Sequence, residues 1–125
     1  MENDTGLIMT REQQKENNQK IAEFMGLNLA ANGAKCEDPR HNDGTISPIR
    51  FHESWDWIMP VIDKIERWGY PIVIRLNVVE IYSLTKMLGG QEEPIIKRPV
   101  KPINTTKLKA AYSAVCQFIN NINQL

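Results

Sequence analysis

With 125 residues the chain holds one domain's worth of core and is short for two. Fifteen Lys+Arg balance fifteen Asp+Glu, so no net field points to nucleic acid or an anionic membrane, and 42% hydrophobic against 24% charged residues excludes wholesale disorder. Two cysteines, Cys36 and Cys116, cannot build a disulfide framework. No secretory signal and no run of the ~20 apolar residues needed for a membrane span are present, so a soluble, cytoplasmic protein is expected.

Residues 1–9 read as a mobile arm. Thr10 with Gln13 forms a capping-box pattern that predicts a helix from there to Met25, with Gly26 as its stop. Only Ile21, Phe24 and Met25 form an apolar cluster. The same face carries Gln14, Asn17 and Asn18 earlier, so it is either solvated or bound to something else. Between Leu27 and Arg50 the periodicity is lost among turn signals at Asn32-Gly33, Asp38-Pro39 and Asp43-Gly44. Strands are expected near 45–51 and 27–31.

Ser54 predicts the cap of a second helix running to Trp68, with Asp56 in its first turn and Gly69 closing it. Pro60 predicts a kink or a later start. Trp55, Trp57, Ile58, Met59, Val61, Ile62, Ile65 and Trp68 span an arc of roughly 200°, about twice what a surface helix buries. This helix should therefore be packed on two sides. The period then changes to two: Tyr70–Leu76 and Val79–Leu84 predict an antiparallel hairpin, with Ile72, Ile74 and Ile81 inward and Arg75 and Glu80 on the other face. A hairpin alone is marginal, so it must gain strands or lie on a helix. Residues 85–104 read as a long connection, extended over 95–101. A last helix starts at Thr105 or Thr106. Its stripe of Leu108, Ala111, Tyr112, Val115, Ile119 and Ile122 has the width of a surface helix.

The fold class that follows is α+β. A small antiparallel sheet on the 70–84 hairpin is covered by the 54–68 and 106–123 helices, with the first helix beside them, as a two-layer or α/β/α sandwich. Residues 10–125 are expected to form one domain.

The run Phe51-His52-Glu53-Ser54-Trp55-Asp56-Trp57-Ile58-Met59-Pro60-Val61-Ile62-Asp63-Lys64-Ile65-Glu66 resembles a block in small proteins of Bacteroidales-type bacteria and their phages. Lys20–Gly26 and Thr106–Val115 share that resemblance. More distantly, the layout is similar to the phage ABA-sandwich domain, a small α/β family without an assigned activity. The likeness covers residues 19–84 and 105–123. It implies a phage or prophage setting and a compact α/β fold, and it implies no reaction.

His52, Glu53, Ser54 and Asp56 cluster at a helix start. Ser and Asp there are what any helix N-terminus favours, so the structural reading is preferred to an acid–base site. Cys36, Asp38, His41 and Asp43 mix soft and hard ligands without the paired spacing of a zinc site; an ordinary polar loop is expected, and no metal or cofactor. The glycine pairs lack phosphate-loop spacing. Charge is unevenly spread: residues 94–125 carry five bases and no acid, against −3 over residues 1–53 and −2 over 54–93. Lys97, Arg98, Lys101, Lys107 and Lys109, with Tyr82 or Trp57 for stacking, are therefore candidate contacts for a phosphate or small nucleotide, the alternative being a solvated linker. Trp57 and Trp68 point in nearly the same direction, with Trp55 about 200° from Trp57. All three are candidate interface residues for a second subunit or a host protein, against the plainer reading that they cover the core edge. A non-enzymatic, self-associating phage accessory protein is the leading expectation. A nucleotide-sequestering protein acting against host defence is the alternative, a nucleic-acid binder a further one, and an enzyme the least favoured.

Overall fold

The structure, a computed structural model, describes residues 9–41, 43–100 and 106–123. Helix α1 (Arg11–Met25) begins on the expected reciprocal cap: the Gln13 amide donates to Thr10 Oγ1 and the Thr10 amide to Gln13 Oε1, both at 3.0 Å. It ends on Gly26, whose φ of 73° is the left-handed conformation a helix stop favours. Of the expected arm, residues 1–8 lie outside the described residues, and Met9 packs against the core.

Three short antiparallel strands follow: β1 (Leu29–Ala30), β2 (Lys35–Glu37) and β3 (Ile46–Pro48), in that spatial order. The outer two fall where the sequence predicted strands; β2, whose Cys36 is fully buried, was not predicted. Between β1 and β2 the chain makes a tight turn in which Gly33 (φ 88°) lies so close to α1 that a side chain there would collide with Gln19.

Helix α2 (Trp55–Arg67) runs unbroken through Pro60, correcting the expected later start. A proline inside a helix costs about 3 kcal/mol, whereas burying a large apolar side chain returns roughly 1.5–3 kcal/mol. Two such side chains in the first turns, Trp57 and Ile58, are fully buried, so packing outweighs the lost backbone bond. Ser54 is the N-cap residue, although its side chain makes no capping bond.

The hairpin forms as β4 (Ile72–Ile74) and β5 (Val78–Ile81), and β6 (Ile96–Pro99) adds to β5, giving the antiparallel order β4-β5-β6. The predicted extended segment thus supplies a third strand, one of the two supports open to the hairpin. The 85–104 connection is more structured than expected, because a short helix α3 (Leu84–Leu88) precedes β6. Residues 101–105, Lys101 among them, lie outside the described residues.

Helix α4 (Lys107–Ile122), capped by Thr106, is the largest departure from expectation. Instead of presenting one stripe, it is buried continuously from Ala110 to Cys116 and again at Phe118 and Ile119. It lies against β5 and β6 on one side and against α1 and α2 on the other. The small side chains of Ala110, Ser113, Ala114 and Cys116 allow neighbours to approach from directions outside the apolar stripe. The fold is α+β, with a three-stranded sheet packed on helices. The sheet's main support is α4, and α2 packs on α4 and α1. Among the described residues no helix is long and apolar enough to cross a membrane.

Candidate functional site

The three tryptophans separate. Trp57 is fully buried, edge-on to Phe51 at 5.1 Å with the Arg40 guanidinium 5.9 Å from its ring centroid. That burial removes Trp57 from the interface and stacking candidates, because no partner reaches a side chain enclosed in its own core. Trp55 is 37% exposed and Trp68 52%. The buried arc of α2 (Trp57, Val61, Ile65, Ile58, Ile62) spans about 140°, and Trp55 and Met59 lie at its margin.

Trp68 sits just past the last turn of α2, against the end of α1. Its ring meets Phe24 edge-on at 4.9 Å. The Lys64 ammonium lies 4.7 Å from the Phe24 ring centroid and 5.8 Å from that of Trp68, and it donates to the Phe24 carbonyl. Lysine thereby supplies the cation that the last turn of α1 lacks, a favourable position for positive charge. The Leu84 amide donates to the Gly69 carbonyl at 2.9 Å, which puts the start of α3 beside the residue after Trp68. On α3, Leu84 is 44% exposed and Leu88 81%.

Edge strand β4 adds Ile74 and, in the following turn, Leu76, the most exposed large apolar residue described. Ile74 was expected inward. It shares the α4-facing side of the sheet with its partner Val79, but α4 supports β5 and β6 and leaves β4 at the margin. The sequence carried a weak signal for this surface, since Leu84, Met87 and Leu88 are apolar in a segment read as a connection.

The opposite face of the sheet gathers charge. Register places Val73, Glu80 and Lys97 side by side, with Tyr82 two residues beyond Glu80. Glu80 is buried although it faces away from α4. Its Oε1 accepts from Arg75 Nε at 2.8 Å and from the Tyr82 hydroxyl at 3.1 Å. The Arg75 bond, with Tyr82 and Lys97 assisting against the cost of burial, holds the Glu80 carboxyl below its usual range. Asn77, Val78, Glu80, Lys97 and Pro99 line a shallow cleft of about 480 Å³ here. Lys97 and Tyr82 therefore share one face, while Arg98, half-buried and paired with Val79, lies on the α4 side. Strand alternation thus splits the run that the sequence grouped as one basic patch. Lys107 and Lys109 are exposed in the first turn of α4.

A second polar cluster joins three elements. The Tyr112 hydroxyl donates to Asn18 Oδ1 at 2.8 Å, and Asn18 Nδ2 lies 3.1 Å from His52 Nδ1. The apparently unemployed asparagines of α1 thus bind α4, and Asn120 likewise engages both Lys20 and Asn17. Burial, opposed by Glu53, lowers the His52 pKa. The Cys116 thiol is pushed up to about 12 by burial, and that of Cys36 to about 11, again by burial first. Both are thiols rather than nucleophilic thiolates near neutral pH. In the Cys36–Asp43 loop, Asp38 is buried. It accepts from the Arg40 backbone amide, from Arg40 Nε at 2.9 Å and Nη2 at 2.7 Å, and from the Ser47 hydroxyl at 3.1 Å. These bonds hold its carboxyl far below the usual range and make it a loop anchor.

Compared with known proteins, the chain matches no family model, no curated protein and no solved structure.

Proposed function

We propose that the chain is a non-enzymatic accessory protein of a phage or prophage, working in the bacterial cytoplasm through protein–protein contacts and through self-association. The observation that carries this reading is the set of large apolar side chains left exposed about the edge strand β4: Trp68, Leu84 and Leu88 around its start, with Ile74 and Leu76 towards the hairpin turn. Apolar surface grouped in this way marks interaction sites more often than scattered exposed residues do, and tryptophan is enriched among residues that dominate binding energy. The resemblance of Phe51–Glu66 to a block in phage and Bacteroidales-type proteins supports the setting. A second copy is the first partner to test and a host protein the second.

Sedimentation of the untagged protein over a wide concentration range tests it. The expected result is a mass at least twice that of the monomer, falling towards one in Trp68→Ser. A monomer at every concentration, with no gain of mass on mixing with host proteins, would sink the reading.

A second reading has its own observation. Lys97, Tyr82 and Arg75 share the outer face of the sheet around the Glu80 carboxylate, so a small anion such as a nucleotide would meet Lys97, an aromatic ring and an arginine already paired with Glu80 there. A thermal-shift screen of linear and cyclic nucleotides checks it, because a ligand at 100 times its Kd stabilises by about 2.7 kcal/mol. No shift with any of them counts against this reading and leaves the first untouched.

A further inference from the structure

His52, Asn18 and Tyr112 tie together the segment before α2, the middle of α1 and the middle of α4. The Asn18 amide is oriented with Oδ1 towards Tyr112 and Nδ2 towards His52. The tyrosine hydroxyl lies 2.8 Å from Asn18 Oδ1 and 3.3 Å from the Gln14 carbonyl. With Oδ1 accepting from Tyr112, the amide presents its NH2 group to His52 Nδ1 at 3.1 Å. That nitrogen must then accept, so the neutral ring carries its proton on Nε2, which faces Glu53 Oε1 at 3.4 Å.

Protonation of the ring breaks this arrangement. A proton on Nδ1 points at the NH2 group of Asn18, and two donors face one another. Asn18 is only 6% exposed, so water cannot easily intervene. Turning the side-chain amide over resolves the conflict. Oδ1 then accepts from His52 Nδ1–H, the NH2 group donates to the Tyr112 oxygen, and the tyrosine proton turns to the Gln14 carbonyl. Every group in the cluster stays bonded in both states, which makes it a two-position device.

We propose that Asn18 is a proton-operated switch: protonation of His52 reverses its amide and moves the Tyr112 hydroxyl from the Asn18 side chain to the main chain of α1. The charged groups around it are few. On its own segment His52 has Glu53, which favours the protonated ring, and Arg50, which opposes it. From α4 come Tyr112 and, against Tyr112, the Cys116 thiol; from α1, Lys20 acts on Cys116. With a His52 side chain that is 23% exposed, the ring can exchange protons with solvent without unfolding. The consequence is that acid alters a contact between α1 and α4 that lies far from the exposed β4 margin in the chain.

Nuclear magnetic resonance on the intact, isotope-labelled protein tests this between pH 7.5 and the onset of acid unfolding. At pH 7.5 the His52 ring should show a bare Nδ1 and a protonated Nε2, with Asn18 amide protons close to the His52 ring. As His52 titrates, those amide protons should lose their proximity to His52 and gain one to the Tyr112 ring, with the same midpoint. In Asn18→Asp, which can only accept, the His52 midpoint should move up from that of the unaltered protein. Three outcomes overturn the proposal: a proton on Nδ1 at pH 7.5, amide protons that stay beside His52 through its titration, or a ring that remains neutral until the protein unfolds. Should Asn18→Asp fail to fold, the proximity measurement on the unaltered protein decides by itself.

Discussion

Trp57 and Trp68 leave α2 in nearly the same direction, eleven residues and about three turns apart, yet one is fully buried and the other half exposed. Around Trp57, Phe51 meets the ring edge-on, the Arg40 guanidinium lies over it, and the indole belongs to the buried core. Around Trp68 the neighbouring helix runs out: α1 stops at Met25, and Phe24 and Lys64 lie against the indole. Direction on a helix is a local property, whereas depth depends on how far the neighbouring elements extend. Sheet β4-β5-β6 shows the same division, since Val79 and Ile81 on the central strand are enclosed and Ile74 on the edge strand is not.

The contrast between interior and margin can be broken by substitution. Trp57→Ala removes a fully buried ring and should cost about 3–5 kcal/mol in denaturant unfolding. A loss as small as that of a surface residue would mean that the ring is not enclosed. Tyr112→Phe keeps the packing but strips the hydroxyl that Asn18 accepts. A loss of about 1 kcal/mol is expected, with retained secondary structure by circular dichroism. Trp68→Ala loses one edge-on aromatic contact and part of a cation contact, so its folding cost should stay at or below about 1 kcal/mol. Its principal effect should be on native mass. A large folding cost with an unchanged mass would place Trp68 with the core and not with the margin.

The smallest expected effect is one of pH. Burial lowers the His52 pKa in the folded chain from its ordinary value of 6.5. The unfolded chain therefore binds the proton more readily, and the stability that depends on a neutral ring is fully present above pH 6.5. It should fall as the pH drops through 6.5 towards the lower folded value. Unfolding curves at pH 7.5 and pH 5 for the unaltered protein and for His52→Gln check this, with a shallower pH dependence expected in the variant. Equal slopes would mean that other groups carry the acid sensitivity.

Local chemistry decided much that was legible in the sequence. The Thr10–Gln13 box, the Gly26 stop, the Thr106 cap and the two-residue alternation around Ile72 and Ile81 each act over a few residues, so spacing alone reveals them. The α+β class, and the need of the hairpin for further strands or a helix beneath it, followed from the same patterns. Tertiary structure decided the rest. That α4 is buried on both sides, that Trp57 and Trp68 differ in depth and that Lys97 and Arg98 face apart depend on which elements meet and where each one ends. So do the pairings of Asn18 with Tyr112 and His52, and of Glu80 with Arg75. The physical reason is range: caps and periodicities are written in bonds between near neighbours, while burial and long-range polar pairs arise from surfaces far apart in the chain, and no local pattern encodes their distance.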